Sequence, residues 1–302
     1  MKITLFQQNI VWANPAENRE RIDALLEGRA SAEGKSDLSA VPQGADQCAV
    51  LQGADQCAVL QGTDQCAMPQ DRDSLAIPPD TDLLVLPEMF STGFATEPEG
   101  IAERCEEGRF ASLDWMRERA AKYGFAIAGS IAVEENGHYY NRFTFVKPDG
   151  ESAFYNKHHL FTYGKEDKHF TAGAEHLLIE YRGVRIMPLI CYDLRFPLWS
   201  RNHGEYDLLI YVASWPTSRV EAWRTLLKAR AIENQCYVVG VNRVGEDPSC
   251  SYCGGSAVID PYGRVMAECR DGQEELLSVE IDLEVLKEFR KKFPVLGDAD
   301  IF

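Results

Sequence analysis

The hydrophobic and polar positions of this chain alternate between the period of a strand and that of a helix. Apolar runs bounded by turn residues predict strands over 3–12, 82–90, 125–133, 139–146, 151–161, 183–193, 206–215, 236–244, 256–266 and 275–283. Apolar positions at helical spacing predict helices over 17–30, 109–123 and 221–235. Such alternation is typical of a layered α/β or α+β domain, in which helices cover sheets. No linker divides these elements, so we expect a single domain over residues 1–302.

Each predicted helix carries an apolar stripe that would pack against a sheet. Gly124 follows the second helix as a C-cap, and Asn136-Gly137 and Asp149-Gly150 are hairpin signals between the strands that span 125–161. The three stripes are, in chain order, Ile22, Leu25 and Leu26, then Phe110, Leu113, Met116 and Ala120, and finally Ala222, Leu226, Ala229 and Ile232.

Composition and charge narrow the class of protein. The 302 residues are 45% hydrophobic and 26% charged, as in an ordinary soluble globular protein. The net charge is −16, of which residues 31–80 carry −6, and this disfavours binding to nucleic acid or to an anionic membrane. No apolar window approaches the length of about 18 residues that a spanning helix needs, and the N-terminus lacks the pattern of a signal peptide. We therefore expect a cytoplasmic protein without nucleic-acid or membrane partners.

Residues 40–69 depart from this pattern, because a nine-residue unit with the consensus Q-G-A/T-D-Q-C-A-V/M-L/P repeats there about three times. The unit contributes Cys48, Cys57 and Cys66 and few large apolar residues, so it can bury little surface. We expect a disordered or loosely packed insertion over 31–79. The spacing of these cysteines lacks the C-x-x-C pairs that make a metal site specific. The chain holds nine cysteines, an odd number, which favours free thiols in a reducing compartment.

Polar side chains follow three of the predicted strands, at the point where an apolar run stops. Glu88 follows LLVLP, Lys157 follows AFYN and Cys191 follows RIMPLI. Strand ends and the loops after them are where α/β folds commonly build sites. Alone, each residue is typical of a surface charge or of a small core thiol. Together they supply the base, the cation and the nucleophile that an acyl-transfer site needs.

The segments around these residues closely resemble the signatures of the carbon–nitrogen hydrolase, or nitrilase, superfamily. Its Glu, Lys and Cys motifs are matched by LPEMFSTGF at 86–94, YNKHHLF at 155–161 and ICYDLRFPLWSRN at 190–202. Its omega-amidase branch is matched by LLKARAIENQ, NRVG, DPYG and FPVLGDADIF. The resemblance covers residues 1 to about 30 and about 80 to 302. It leaves the repeat without a counterpart.

This resemblance implies a four-layer αββα sandwich that pairs as a homodimer and uses no cofactor. It implies an omega-amidase that converts a small-molecule amide, 2-oxoglutaramate or 2-oxosuccinamate, to a 2-oxo dicarboxylate and ammonia. Cys191 would attack the amide with Glu88 as base, forming a thioester acyl-enzyme. Lys157 and the backbone N–H of Tyr192 would stabilise the oxyanion.

A fourth catalytic candidate is Glu166, at a position where relatives in this branch carry a second acid. Its role would be to orient Lys157 or to assist proton transfer. The neighbouring Asp167 is the rival for this role. The alternative is that Glu166 is a solvated acid in a loop.

An anionic substrate of an acidic protein must be held by nearby cations, because charge beyond about 8 Å is largely screened at physiological salt. Arg195 is the candidate carboxylate anchor, since a guanidinium can bind a carboxylate bidentately. The alternative is a structural ion pair between Arg195 and Asp193. Phe90, Tyr163 and Trp215 are candidate pocket walls, although aromatic residues at strand ends are more often part of the core.

Other chemistries have weaker support. His158 and His159 adjoin Lys157, but the remaining histidines show no ligand spacing, so we expect no metal. A single C-x-x-C at Cys250 and Cys253 is weak evidence for zinc or a redox dithiol. The alternative functions are the same machinery acting on another amide, such as deaminated glutathione, on a nitrile or on an N-carbamoyl compound. A more remote alternative is a thiol-rich metal-binding or interaction module that uses the repeat.

Overall fold

The computed structural model describes residues 1–28 and 76–298. The predicted insertion over 31–79, with its repeat and its three cysteines, lies outside these residues apart from 76–79. The strands of the described chain are Lys2–Gln7 (β1), Leu83–Val85 (β2), Glu103–Arg104 (β3), Ala126–Glu135 (β4), His138–Val146 (β5), Ser152–Asn156 (β6), Ile179–Tyr181 (β7), Val184–Ile190 (β8), Leu208–Ala213 (β9), Tyr237–Asn242 (β10), Val244–Glu246 (β11), Ser251–Cys253 (β12), Ala257–Ile259 (β13), Val265–Glu268 (β14) and Glu275–Glu280 (β15).

The helices of the described chain are Pro15–Leu26 (α1), Ala111–Tyr123 (α2), Glu166–His169 (α3), Val220–Asn234 (α4) and Leu283–Lys292 (α5). Short 3₁₀ turns lie at Thr162–Gly164, Cys191–Arg195, Pro197–Ser200, Thr217–Arg219 and Val295–Asp298. None of the helices in the described ranges is long and apolar enough to cross a membrane.

The strands form two large sheets and a small hairpin. The first sheet has the order β15-β1-β2-β4-β5-β6, with β3 beside β4, and the second has the order β14-β13-β10-β9-β8-β7. At the centre of the first sheet β1, β2 and β4 are parallel, and at the centre of the second β8, β9 and β10 are parallel. The small hairpin joins β11 to β12. Parallel strands of one sheet end at the same edge of that sheet. Because the two sheets pack face to face, the loop after β2 of the first sheet can meet the loops after β8 to β10 of the second.

The two sheets pack face to face with helices outside them. Because side chains alternate along a strand, Leu83 and Val85 point between the sheets, whereas Leu84 and Leu86 point outward. The outward side chains pack against α1 and α2, whose Ile22, Leu113 and Met116 are fully buried there. Trp223 and Leu227 of α4 pack against the second sheet. The predicted four-layer αββα sandwich is confirmed.

One predicted helix stripe is only partly correct. The fully buried apolar side chains of α4 are Trp223, Leu227 and Ala231, whereas the predicted Ala222 and Leu226 are half-buried against the same cluster. Ile232 is 54% exposed. Both sets have helical spacing, and the larger apolar area of the tryptophan decides which one faces the sheet. Gly240 on β10 leaves the space into which Trp223 and Leu227 fit.

Local signals located two hairpins and one helix end. Asn136-Gly137 and Asp149-Gly150 connect the antiparallel pairs β4–β5 and β5–β6 as predicted, and Gly124 caps α2 with φ 78°. The strand predicted over 151–161 ends earlier, at Asn156. The strand predicted over 256–266 is a hairpin of β13 and β14. Helix α5 was not predicted, although the Asp282 side chain accepts from the N–H of Glu284 as a normal N-cap.

Candidate functional site

Three predicted site residues meet between the two sheets. Glu88 follows β2 and Lys157 follows β6 in the first sheet, whereas Cys191 follows β8 in the second. The Lys157 Nζ lies 3.0 Å from Glu88 Oε1, and both side chains are fully buried. Glu88 is close enough to the Cys191 thiol for its negative charge to raise the pKa of that thiol. The fold therefore brings the candidate nucleophile, base and cation into one contact network.

Lys157 is held between two carboxylates. Its Nζ donates to Glu88 Oε1 at 3.0 Å and to Glu166 Oε1 and Oε2 at 3.1 and 2.9 Å. Burial disfavours the charged ammonium, but the carboxylates of Glu166 and Glu88 outweigh it and raise the pKa of Lys157 above its usual range. The ammonium is therefore charged at neutral pH. A fixed cation here can stabilise negative charge that develops nearby.

Of the two rival acids, Glu166 is the one that reaches this network. It begins α3, is fully buried, and accepts from the N–H of Phe161 at 2.6 Å. Asp167 instead pairs with Lys168, 2.9 Å away. Burial, helped by the charge of Glu88, raises the pKa of Glu166. Glu166 is therefore not a solvated loop acid.

Asn141 on β5 was missed by the sequence analysis. Its Nδ2 donates to Glu88 Oε1 at 2.8 Å and to Glu166 Oε1 at 3.2 Å. Its Oδ1 lies 2.9 Å from Ser130 Oγ, which accepts from the N–H of Met89 at 2.9 Å. The amide thus joins both carboxylates to the backbone of the loop after β2. No signal in the sequence distinguishes Asn141, because Arg142 and Thr144 of the same strand are also polar.

A tight turn holds Cys191, which is half-buried, at the wall of a cavity. Cys191 has a left-handed backbone with φ 44°, which costs free energy for a residue with a side chain. The turn is held by Asp193, which accepts from the N–H of Ile190 at 3.0 Å, from Tyr155 Oη at 2.8 Å and from the N–H of His159 at 2.9 Å. Asp193 is therefore structural.

The electrostatic environment of the Cys191 thiol is mixed. Burial raises its pKa well above the ordinary thiol value, and the negative charge of Glu88 adds to this effect. The ammonium of Lys157 and the N–H of Ser214 act in the opposite direction. Ser214 also donates its N–H to Glu88 Oε2 at 2.7 Å. The ground state is therefore a protonated thiol beside a carboxylate that can accept its proton.

Cys191 opens into a cavity of about 250 Å³. The predicted residues Tyr163, Tyr192, Arg195 and Trp215 line it, as do Lys157 and Cys191. Lining residues that the sequence analysis missed are Phe94, Thr96, Phe161, Gly164, Ser214, Pro216, Arg219, Ser249, Cys250 and Tyr252. Aromatic rings form much of the wall, so the cavity can enclose a small molecule and exclude water.

The expectation that Phe90 lines the pocket is wrong. Phe90 is fully buried in the cluster between the first sheet and helices α1 and α2, where its ring centroid lies 6.0 Å from that of Trp115. The loop after β2 turns at Met89 and directs Phe90 toward this outer layer. Phe94 occupies the cavity wall instead, with the Nζ of Lys157 5.2 Å from its ring centroid.

Two arginines of the cavity wall rest on aromatic rings. The guanidinium of Arg195 lies 4.8 Å from the ring centroid of Trp215, and that of Arg219 lies 5.4 Å from the ring centroid of Phe161. Arg195 does not pair with Asp193, so the alternative of a structural pair is wrong. Both guanidinium groups are placed where an anionic ligand can reach them.

The two neighbouring histidines are part of the packing. The rings of His158 and His159 stack on Trp199 and Phe196 at centroid distances of 3.6 and 3.7 Å. Within residues 1–28 and 76–298, no group of three or more His, Cys, Asp or Glu side chains is arranged to hold a metal ion. Cys250 and Cys253 are free thiols.

Comparison with known proteins identifies the family and its fold. The sequence model of the family described as Carbon-nitrogen hydrolase matches residues 2–291. Omega-amidase YafV of Escherichia coli strain K12 is 46% identical over 217 residues, which cover 72% of this chain and 83% of that protein. The 2-oxoglutaramate amidase of Bacillus subtilis strain 168 is 40% identical over 217 residues, covering 70% and 82% respectively.

A solved structure with a similar fold is XC1258 of Xanthomonas campestris, a CN-hydrolase superfamily protein that carries an arsenic adduct in its active site. It is 36% identical, has a TM-score of 0.79, and covers 100% of this chain and 98% of its own. Nit3 of Saccharomyces cerevisiae, a member of branch 10 of the nitrilase superfamily, is 23% identical with a TM-score of 0.74 and covers 98% and 94%. The second likeness concerns the fold alone.

Proposed function

We infer the reaction from the family of the chain. This chain belongs to the carbon–nitrogen hydrolase family and is an amidase. We propose that it hydrolyses the omega-amide of a small 2-oxo acid, 2-oxoglutaramate or 2-oxosuccinamate, to a 2-oxo dicarboxylate and ammonia. The observation that carries this proposal is that Cys191 and Lys157 line one cavity while the buried Glu88 lies 3.0 Å from Lys157 and raises the pKa of Cys191. The relatives named for the hydrolysis of omega-amides and 2-oxoglutaramate support the substrate class.

The first step forms a tetrahedral intermediate on Cys191. Cys191 attacks the amide carbon while Glu88 takes the thiol proton, so that a C–S bond forms and the carbonyl oxygen becomes negative. The ammonium of Lys157 and the N–H of Tyr192 stabilise that oxygen. Tyr192 lies in the first turn of a 3₁₀ helix, where N–H groups have no acceptor within the helix. Losing one such donor typically costs about 10² to 10³ in rate.

The second step expels ammonia, and the third restores the enzyme. Glu88 returns its proton to the amide nitrogen as the C–N bond breaks, which leaves the acyl group on Cys191. Glu88 then takes a proton from water as the water oxygen attacks the thioester. The C–S bond breaks, the thiolate regains a proton, and the carboxylic acid leaves. Each turnover thus consumes one amide and one water.

The remaining residues of the network hold these groups in place. Glu166 keeps the ammonium of Lys157 between two carboxylates, and Asn141 binds both acids. Arg195 is the proposed anchor for the substrate carboxylate, since its guanidinium faces the cavity and lies on the ring of Trp215. A charge-assisted bond at this end would fix the distance between the carboxylate and the amide.

The test is ammonia release from 2-oxoglutaramate by the parent and by Cys191→Ala. We expect the substitution to reduce kcat/KM by at least about 10³-fold, because it removes the nucleophile. Cys105→Ser is the matched control: this half-buried thiol donates to Glu135 at 3.2 Å and does not line the cavity. Its activity should stay within about twofold of the parent.

A second measurement tests the intermediate. Rapid quenching of the parent with substrate should give a protein mass increased by the acyl group, located on the peptide that contains Cys191. Undiminished turnover in Cys191→Ala would refute the mechanism. If the parent releases no ammonia from 2-oxoglutaramate but acts on another amide, a nitrile or an N-carbamoyl compound, the proposed substrate is wrong.

A further inference from the structure

We propose that Arg219 forms a two-arginine clamp with Arg195, which binds the carboxylate and the 2-oxo group of the substrate and rejects a 2-ammonium group. This inference rests on the proposed function, because it states which substituent the same cavity accepts beside the carboxylate. Arg219 ends the 3₁₀ turn before α4 and is separated from Arg195 by strand β9 and the loops around it.

One residue positions both arginines. The guanidinium of Arg195 lies 4.8 Å from the ring centroid of Trp215. The indole Nε1 of Trp215 donates to the backbone carbonyl of Arg219 at 2.8 Å. Trp215 is itself buried, and its N–H donates to Asn242 at 2.7 Å, so it is a rigid support. Trp215 therefore supports both arginines, and both line the cavity.

Arg219 is also linked to the catalytic network, through Phe161. Its guanidinium lies 5.4 Å from the ring centroid of Phe161, whose N–H donates to Glu166 at 2.6 Å. Glu166 in turn accepts from Lys157. A ligand held by Arg219 is therefore held against the same segment that positions the ammonium. This arrangement suits a short substrate with an anionic group at one end and an amide at the other.

The three cations of the lining differ in their partners. The described lining includes Lys157, Arg195 and Arg219 and no Asp or Glu, and Lys157 is paired with Glu88 and Glu166. Several arginines outside the cavity are paired with an acid, as Arg185 is with Asp207 at 2.7 Å. Neither cavity arginine has an acidic partner among the described residues. A guanidinium is always charged, and its partial burial without an anion is unfavourable. The cavity is therefore built for an anion.

The substituent next to the carboxylate is selected by the same charges. A 2-oxo oxygen is an acceptor and matches the N–H donors of a guanidinium. A 2-ammonium group offers only donors and would lie beside two like charges, with no acid in the described lining to neutralise it. Repulsion between these like charges opposes the binding of the 2-ammonium compound. The clamp thus separates the omega-amide of a 2-oxo acid from that of the corresponding amino acid.

The experiment uses three amides that differ only at C2: 2-oxoglutaramate, glutaramate without a substituent, and L-glutamine. Their kcat/KM values are measured for the parent, Arg219→Met and Arg219→Lys. The matched control is Arg264→Met, since Arg264 also rests on an aromatic ring, 5.2 Å from the centroid of Tyr262, but lies outside the cavity. The control should change no value by more than about twofold.

We expect Arg219→Met to lower kcat/KM for 2-oxoglutaramate by about 10- to 100-fold, mainly through KM, as for the loss of a hydrogen bond to a charged group. The ratio of 2-oxoglutaramate to L-glutamine should fall by about tenfold or more. Arg219→Lys, which keeps the charge, should preserve more of this ratio. An unchanged ratio in Arg219→Met overturns the clamp.

A binding measurement separates this inference from the proposed reaction. In the Cys191→Ala background, 2-oxoglutarate should bind about tenfold or more tightly than L-glutamate by calorimetry, and adding Arg219→Met should remove most of the difference. Equal affinities, or no binding of either, overturn the clamp. If the parent hydrolyses none of the three amides but this preference is present, the proposed reaction fails and the clamp stands.

Discussion

At the scale of single residues, the thiol of Cys191 is influenced by the charge of Glu88. The thiol is protonated because burial and the charge of Glu88 raise its pKa, although Lys157 opposes them. Glu88 therefore has two effects, which two different measurements on one variant can distinguish. Its charge suppresses the free thiolate, and its oxygen accepts the proton when a substrate is present.

Glu88→Gln should lower the pKa of Cys191, because the negative charge that raises it is removed while Lys157 remains. The same variant should lose about 10² to 10⁴ of kcat/KM, since an amide cannot serve as the base. The pKa is measured from the pH dependence of Cys191 alkylation by iodoacetamide, followed by peptide mass. A higher alkylation pKa in Glu88→Gln than in the parent would contradict this account of the thiol.

Asn141 acts on the reaction through the two acids that it binds. Asn141→Ala should lower kcat by about 10- to 100-fold with a small change in KM, because the hydrogen bonds that it removes go to Glu88 and Glu166 and not to the cavity. The matched control is Asn156→Ala, whose amide accepts from Arg142 at 2.9 Å on the neighbouring strand. Steady-state kinetics in which KM alone changes would show that Asn141 acts on binding instead.

At the scale of elements, the contact between α4 and β10 depends on the absence of a side chain at Gly240. A Cβ built there would lie 2.5 Å from Leu227 Cδ1 and 2.9 Å from Trp223 Cζ2. Both side chains are buried, so neither can move aside without disturbing the core. The strand and the helix are therefore matched in shape at this point.

Gly240→Ala should destabilise the protein by about 1 to 3 kcal/mol, the usual cost of overpacking a core. The matched control is Gly297→Ala, because a Cβ at Gly297 meets no atom within 4 Å. Urea unfolding followed by circular dichroism measures both variants. Equal midpoints for the two would mean that the contact relaxes without cost.

At the scale of the whole molecule, Asp207 ties the second sheet to the C-terminal helix. It accepts from Arg185 of β8 at 2.7 Å and from Arg290 of α5 at 2.8 Å. Burial disfavours its charge, but Arg185 and Arg290 outweigh this effect and hold the pKa of Asp207 below its usual value. A lowered pKa in the folded state stabilises the protein above the unfolded pKa of about 3.9 and is lost as the pH falls below it.

Asp207→Asn should therefore reduce the free energy of unfolding by about 1 to 3 kcal/mol at pH 7. The difference from the parent should shrink as the pH falls below about 4, because the carboxylate then binds a proton in the unfolded state before it does so in the folded state. Asp80→Asn is the control, since Asp80 pairs with Lys2 at 2.7 Å on the surface and is 69% exposed. Thermal unfolding between pH 3 and 7 provides the comparison, and a constant difference over that range would contradict it.

The sequence by itself determined the parts of this protein that depend on neighbouring residues. Turn residues located two hairpins and the cap of α2, and the pattern of apolar side chains indicated a layered domain of strands and helices. The Glu, Lys and Cys segments indicated the family, and the resemblance implied the sandwich of two sheets. Glu166 was identified by resemblance, and its contact with Lys157 followed only from the fold.

Only the tertiary structure decided which of several equivalent side chains face the site. It placed Phe90 in the outer core and Phe94 in the cavity, and it identified Asn141 and Arg219 as members of the site. The physical reason is that these assignments depend on contacts between distant parts of the chain: Ser214 and Glu88, for example, are 126 residues apart. Local spacing indicates which residues can share a face, and packing between the two sheets selects the face.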